Sequence, residues 1–293
     1  MNKIRISAPA KLNLTLDIAG VRHDGYHLLR TIMQTVDIYD YITIEKNASN
    51  STIIECDSDY VPCDERNLVH RAITEFFNST GIEHCGITAG IDKHIPAMAG
   101  MAGGSTDAAA ALIGLDKMFS TNLNIEQLCK IGVKLGADVP FCLFGGTAVC
   151  EGIGEIITKL KNLSGCVFVV VKPDISISTP EAFKKYDSID EPDSSDFIGM
   201  CTAIEKSIIP SVGSKLFNAL SFAANDTSIH DLCQKLIANG AVGSSMTGSG
   251  SACFGIFDDE KTASKCVDLM NEQYPFCKLC RPIEHSCVIS YIQ

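Results

Sequence analysis

The chain has 293 residues, 46% of them hydrophobic and 20% charged, the composition of a globular protein long enough for two domains of ordinary size. Thirty-five acidic against 24 basic side chains give a net charge of −11, which argues against a nucleic-acid partner, since polyanion binders carry a basic footprint. The 14 cysteines are scattered through apolar segments such as Val149-Cys150 and Ala252-Cys253-Phe254, below the roughly 8–10% of a disulfide framework, so a reducing, cytoplasmic setting is expected.

In chain order, residues 4–7, 12–18, 41–44, 52–56 and 86–91 have the β-branched, partly alternating look of strands. Apolar residues at helical spacing (Leu68, Ala72, Ile73, Phe76, Phe77) predict a helix over 67–77. A glycine-rich loop then opens an alanine-rich helix running to about Phe119, and a further helix is expected over 124–135, ended by Gly136. The polar stretch 158–165 separates two halves, so domains are expected at 1–160 and 161–293. Beyond it, 167–172 reads as a strand, 180–186 as a short helix and 191–196 as a solvated acidic loop. Helices at 228–239 and 261–273, strands at 242–246 and 253–257, and a terminal strand at 286–292 complete the chain. The longest clean apolar run, Cys166 to Val171, is far short of the ~18 residues that span a bilayer, and no apolar run precedes Ala8-Pro9-Ala10. Neither a membrane partner nor a secretory leader is expected. The fold class is α+β, with the glycine loops facing a cleft between two domains.

The most informative segment is Ile95-Pro96-Ala97-Met98-Ala99-Gly100-Met101-Ala102-Gly103-Gly104-Ser105-Thr106-Asp107. Glycines let backbone N–H groups approach a ligand, and a helix start adds unpaired donors and the positive end of its dipole. Together these make an anion site, most often for phosphate. Ser105, Thr106 or Asp107 could cap the helix, and the two hydroxyls could reach a phosphate or its metal. The loop is not a Walker loop, because no Gly-Lys-Ser/Thr ends it. A tight turn before a buried helix is the plainer alternative.

Three further segments carry chemistry. Pro9-Ala10-Lys11-Leu12-Asn13-Leu14 puts Lys11 and Asn13 on one side of a strand. Arg22-His23-Asp24-Gly25-Tyr26-His27 is a polar turn with two imidazoles and a ring. In Gly136-Ala137-Asp138-Val139-Pro140-Phe141 a lone carboxylate sits among apolar and small residues, where burial demands a partner, and Lys11 is the natural one. Cys277, Cys280, His285 and Cys287 offer four possible zinc ligands, but their spacing fits no zinc pattern, and buried cysteines with a strand histidine are the simpler expectation.

These segments, in this order, resemble the small-molecule kinases of the galactokinase–homoserine kinase–mevalonate kinase–phosphomevalonate kinase (GHMP) superfamily. The detailed match, which includes Lys172-Pro173, Ser178-Thr179-Pro180 and Met246-Thr247-Gly248-Ser249-Gly250, is with its branch acting on a cytidine-diphospho-methylerythritol. The resemblance implies an N-terminal α/β domain like that of ribosomal protein S5 and a ferredoxin-like C-terminal domain. It implies transfer of the γ-phosphoryl group of ATP to the 2-hydroxyl of the substrate, in the non-mevalonate route to isoprenoids. Lys11 and Asp138 take the catalytic positions. Asn67, Lys93, Pro96, Gly100, Gly103, Gly104, Ser105 and Thr106 match ATP-binding positions, with Ser105 or Thr106 near Mg²⁺. Asn13, Tyr26, His27, Thr179, Phe183, Gly248, Ser249 and Gly250 match substrate positions, with Tyr26 and Phe183 sandwiching the cytosine and His27 reading its edge. A monomer or homodimer is implied. Glu151-Gly152-Ile153-Gly154-Glu155 departs from the common Thr-Gly-Arg-Gly-Glu of the family, and Ala219-Leu220-Ser221 lacks an acidic residue often found there. A different small acceptor on the same enzyme, or a non-catalytic binding module on the same fold, are the alternatives; the aromatic residues and the intact Lys11 and Asp138 speak against them.

Overall fold

The computed structural model describes residues 2–23, 25–190, 192–223 and 227–293. Asp24 of the Asp-Gly-Tyr-His string and Glu191 of the acidic loop lie outside the described residues. The first half runs β1 (Lys3–Val21), β2 (His27–Lys46), β3 (Thr52–Cys56), α1 (Leu68–Thr80), β4 (Ile87–Asp92) and α2 (Gly103–Phe119). It continues through α3 (Ile125–Gly132), α4 (Val139–Phe144), β5 (Thr147–Gly152) and β6 (Ile156–Lys159). The second half begins with β7 (Val167–Lys172), α5 (Thr179–Tyr186), α6 (Phe197–Glu205), α7 (Ile209–Gly213), β8 (Phe217–Asn218) and α8 (Ala219–Ala223). It ends with α9 (Thr227–Ala238), β9 (Gly243–Met246), β10 (Cys253–Phe257), α10 (Glu260–Asn271), β11 (Phe276–Cys280) and β12 (Val288–Ile292).

Among the described residues, an eight-stranded sheet has the order β12-β1-β2-β4-β3, with β5 and β8 pairing to β2 and β1 and β6 to β5. A four-stranded sheet has the order β11-β7-β10-β9. The two expected strands at 4–7 and 12–18 are one continuous strand, β1. Pro9 reads as a break because it lacks a ladder donor, and it sits where the β1–β2 register shifts, between Pro9 and Ala10. A second shift, between Asn13 and Thr15, brackets the same short stretch. Most of β2 escapes prediction because Thr31, Gln34, Thr35 and Asp40 interrupt its alternation; all four are buried with polar partners.

Three apolar clusters position the cleft. Helix α2 packs on β1, in one cluster with Ile4, Ile6 and Ala8, and α1 packs beside it, against α2 and the β3–β4 edge. The four consecutive alanines Ala108–Ala111 are fully buried, and a Cβ on Gly114 would lie 2.8 Å from both Ile6 and Ile44, so α2 sits close on the sheet. A second cluster joins Ala10, Leu12 and Leu14 of β1 to Phe168, Val170, Phe254 and Ile256 of the smaller sheet. A third covers that sheet's other face with α9 and α10, burying Val169 and Val171. Strand β7 is thus covered on both faces, which accounts for its unbroken apolar run. The chain leaves the first sheet at Lys159 and enters the second at Val167, yet β8 and β12 return to β1.

Candidate active site

A cavity of 730 Å³ lies where β1, the start of α2, α4, α5 and the loop after β9 meet. Lys11 is 3% exposed and Asp138 33% exposed, and Lys11 Nζ lies 3.7 Å from Asp138 Oδ2. The ammonium also donates to Asn13 Oδ1 at 2.6 Å and to the Gly100 carbonyl at 2.8 Å. A buried cation needs such partners, and these leave the carboxylate as the more accessible member of the pair. Asp138 stands at the N-cap of α4 with Pro140 in the first turn, and its side chain makes no capping hydrogen bond, so it remains directed to the cleft.

Asn13 ties the two glycine loops together. Its amide donates to Thr31 Oγ1 at 2.9 Å, while its Oδ1 accepts from the Gly248 amide at 2.9 Å as well as from Lys11. Thr247 Oγ1 adds bonds to Asn13 Oδ1 and to the Gly100 carbonyl, both at 3.3 Å. A Cβ on Gly100 would stand 2.0 Å from the Thr247 carbonyl oxygen, and its φ of +71° is in the left-handed region. Only glycine permits that backbone contact. Asn218 supports the second loop from behind, donating to the carbonyls of Met246 and Gly248 at 2.8 Å.

The start of α2 corrects the expected cap. The N-cap is Ala102, in a left-handed conformation and with no side-chain hydrogen bond, so the helix begins at Gly103. Gly103, Gly104 and Ser105 line the cavity within its uncapped first turn. That leaves first-turn donors and the dipole's positive end for an anionic ligand. Thr106 does not join them: it is fully buried, with its hydroxyl 3.7 Å from Cys287 Sγ. Asp107 instead faces Lys93, whose ammonium lies between Asp107 Oδ2, at 2.8 Å, and Asp40 Oδ2. Asp40 Oδ1 accepts the amides of His94 and Ile95, at 2.6 and 2.8 Å, and so fixes the entry to the glycine loop. Burial pushes the Asp107 carboxyl up to about 8, against the pull of Lys93 and with the charge of Asp40 adding to the rise. Asp107 Oδ1 is buried without a hydrogen-bond partner.

Asn67, Lys93 and Pro96 all line the cavity. Asn67 is engaged as the N-cap of α1, accepting from the Val69 amide at 2.8 Å and donating to the Pro62 carbonyl at 2.7 Å. Thr179, Phe183, Gly248, Ser249 and Gly250 line the cavity as well, and Thr179 Oγ1 meets Ser249 Oγ at 2.7 Å. Tyr26 and His27 are outside the lining. Tyr26 is 63% exposed, and His27 stacks on Phe183 at a centroid distance of 4.5 Å, so the expected pair of rings does not face across the cavity. Glu155 stabilises its own turn by accepting the Ile153 amide at 2.7 Å.

The cysteine cluster does not assemble. Among the described residues no group of three or more His, Cys, Asp or Glu side chains could hold a metal. Cys277 and Cys280 point into different cores, His285 and Cys287 precede β12, and burial pushes the thiols of Cys277 and Cys287 up to about 12. Asp40, Thr247 and Asn218 are the polar residues that sequence reasoning missed. A carboxylate inside the apolar alternation Ile38–Ile42 was the one signal available for Asp40.

Comparison with known proteins gives the family to which this fold belongs. The family model for the GHMP kinases N terminal domain matches residues 67–146, and that for the GHMP kinases C terminal matches residues 206–275. A 4-diphosphocytidyl-2-C-methyl-D-erythritol kinase of Clostridium botulinum (strain Eklund 17B / Type B) is 44% identical over 276 residues, covering 92% of this chain and 97% of the relative. One of Clostridium novyi (strain NT) is 40% identical over 269 residues, covering 91% and 95%. A crystal structure of 4-(cytidine 5'-diphospho)-2C-methyl-D-erythritol kinase superposes with a TM-score of 0.77 at 26% identity, covering 94% of this chain and 99% of the other. A homoserine kinase from Cytophaga hutchinsonii superposes at 0.81 with 17% identity, covering 99% of this chain and 98% of the other, which shows the shared fold alone. The chain therefore belongs to the GHMP kinases and, within them, to the family of the 4-diphosphocytidyl-2-C-methyl-D-erythritol kinases.

Proposed function

We propose that the chain transfers the γ-phosphoryl group of ATP to the 2-hydroxyl of 4-diphosphocytidyl-2-C-methyl-D-erythritol, a cytoplasmic step of the non-mevalonate isoprenoid route. The observation that carries this reading is the Lys11–Asp138 pair, 3.7 Å apart at the wall of a cavity lined by two glycine loops. An alcohol is a weak nucleophile. Asp138 takes its proton as the oxygen attacks the γ-phosphorus and ADP departs, while Lys11 offsets the charge on the carboxylate. Holding both substrates in line supplies most of the remaining acceleration.

In this reading the N-terminal domain, 1–160, binds ATP, and the second domain, 161–293, closes the acceptor side. Backbone amides of Gly103, Gly104 and Ser105, with Gly100 shaping the loop, hold the β- and γ-phosphates. Asn67, Lys93 and Pro96 lie toward the nucleoside; the Lys93 ammonium is already engaged, so its stem and backbone are what it offers. Thr106 drops out of the phosphate contacts because its hydroxyl is turned into the core. Mg²⁺ fits the donor set, since this ion keeps several waters and is held mainly by phosphates plus one or two protein oxygens. Ser105 is the side-chain oxygen that would help to hold it, and it would neutralise charge on the transferring group. Phe183, Tyr26 and His27 serve the cytidine end, Thr179, Gly248, Ser249 and Gly250 the diphosphate, and Asn13 aligns Lys11.

The test is direct. The protein is incubated with ATP, Mg²⁺ and an equimolar panel of that substrate, homoserine and mevalonate, and the products are read by phosphorus NMR. One new phosphomonoester, on the 2-carbon of the cytidine-diphospho substrate, is expected. Transfer to another acceptor, with this one untouched, would contradict the reading.

A further inference from the structure

Helix α5 turns two side chains, one helical turn apart, onto the same imidazole. His27 lies on the Phe183 ring with 25° between the planes, and its Nε2 is 2.7 Å from Asp187 Oδ1. The His27 side chain is 13% exposed and that of Asp187 is 50% exposed, so the carboxylate is the outer member of the pair, and Phe183 is the member of the stack that lines the cavity. The helix is anchored at its other end by Thr179 and Ser249, and the Asp187 amide closes it by donating to the Phe183 carbonyl at 3.0 Å.

A carboxylate can only accept, so this contact puts an imidazole proton on Nε2, and the neutral ring then keeps Nδ1 as an acceptor. Stacking on an aromatic ring favours cytosine and uracil alike; selection must come from the polar edge of the base. We propose that Asp187 is a positioning residue for base selection: by fixing the proton of His27 on Nε2, it leaves Nδ1 as an acceptor suited to the 4-amino group of cytosine and mismatched to the 4-carbonyl of uracil. The inference rests on the cytidine-diphosphate reading of the acceptor site given above. It also gives the His27–Phe183 stack a role, as the wall against which the imidazole is held.

The experiment measures CDP and UDP binding by calorimetry for the wild-type chain, Asp187→Ala and Asp187→Asn, and reads the His27 ring nitrogens by NMR in each. The wild-type chain is expected to prefer CDP by about tenfold, the scale of one hydrogen bond and its mismatch. Asp187→Ala should reduce that preference to about twofold or less and turn the Nε2–H signal into a tautomer mixture, with a cooperative urea unfolding transition reporting that the variant is folded. Asp187→Asn, whose side-chain oxygen still accepts, should retain most of the preference. An undiminished preference in Asp187→Ala, with the ring signals changed, would overturn the inference and leave the acceptor reading standing. Equal binding of CDP and UDP by the wild-type chain would also overturn it, and the turnover assay above then decides the acceptor reading on its own.

Discussion

At the scale of single residues, the account depends on a buried cation shared among three acceptors. Lys11→Met would leave the Asp138 carboxylate without its cation and would take the charged donor from Asn13 Oδ1 and the Gly100 carbonyl, which keep only the Gly248 amide and the Thr247 hydroxyl. The surviving carboxylate is one-third exposed and can be hydrated, so urea denaturation should show a loss of about 1–3 kcal/mol together with a collapse of kcat. The Lys93 cluster gives a pH dependence. Asp107 has a folded-state value of about 8 against 3.8 for the free group. The native state therefore holds an extra proton between these values, and stability falls as pH rises through that window. Asp107→Asn removes the effect: between about pH 5 and about pH 8 it should gain more than about 1 kcal/mol relative to the wild-type chain. A pH-independent difference would contradict the assignment. Lys11 and Asp138 were legible in the sequence because a carboxylate among Ala137, Val139 and Pro140 demands a partner. Asp40 was not, because its partners are two backbone amides and a lysine 53 positions away, and no local pattern announces a tertiary hydrogen bond.

Among the elements, the two glycine loops matter most. Gly100 and Gly248 bring backbone against backbone, so that a Cβ on either would fall under 3.0 Å from the other loop. Gly100→Ala should destabilise the protein by about 1–3 kcal/mol, since the group it strikes is main chain and cannot swing aside. Its KM for ATP should rise more than that for the acceptor. The helix after the first loop was legible from its alanines, but its cap was not. Hydroxyls at 105 and 106 match the composition of a cap, whereas the left-handed turn at Ala102 starts the helix three residues before a Ser105 cap would and turns Thr106 inward. The acidic loop read as solvated also has a fixed point: Ser195 donates from its amide and hydroxyl to the buried Asp17 of β1, at 2.7 and 2.5 Å.

For the whole molecule, the two sheets share an apolar cluster, and this continuity fixes the distance across the cleft. Strands β7, β9, β10 and β12 and helices α1, α2, α3, α5, α9 and α10 were predictable from local pattern, whereas β5, β6, β8 and β11 and the short helices α4, α6, α7 and α8 were not. The return of β8 and β12 to β1 was not, because edge pairing is decided by which surfaces remain uncovered after the core has formed. No helix among the described residues is long and apolar enough to cross a membrane. The central claim concerns one proton: Asp138 receives it from the acceptor hydroxyl as the phosphoryl group moves. Single-turnover transfer by Asp138→Asn, with ATP and acceptor both prebound, measures this most directly. The account predicts that both ligands still bind and that transfer slows by about 10²–10⁴-fold. Transfer within about threefold of the wild-type rate would place the proton elsewhere and contradict it.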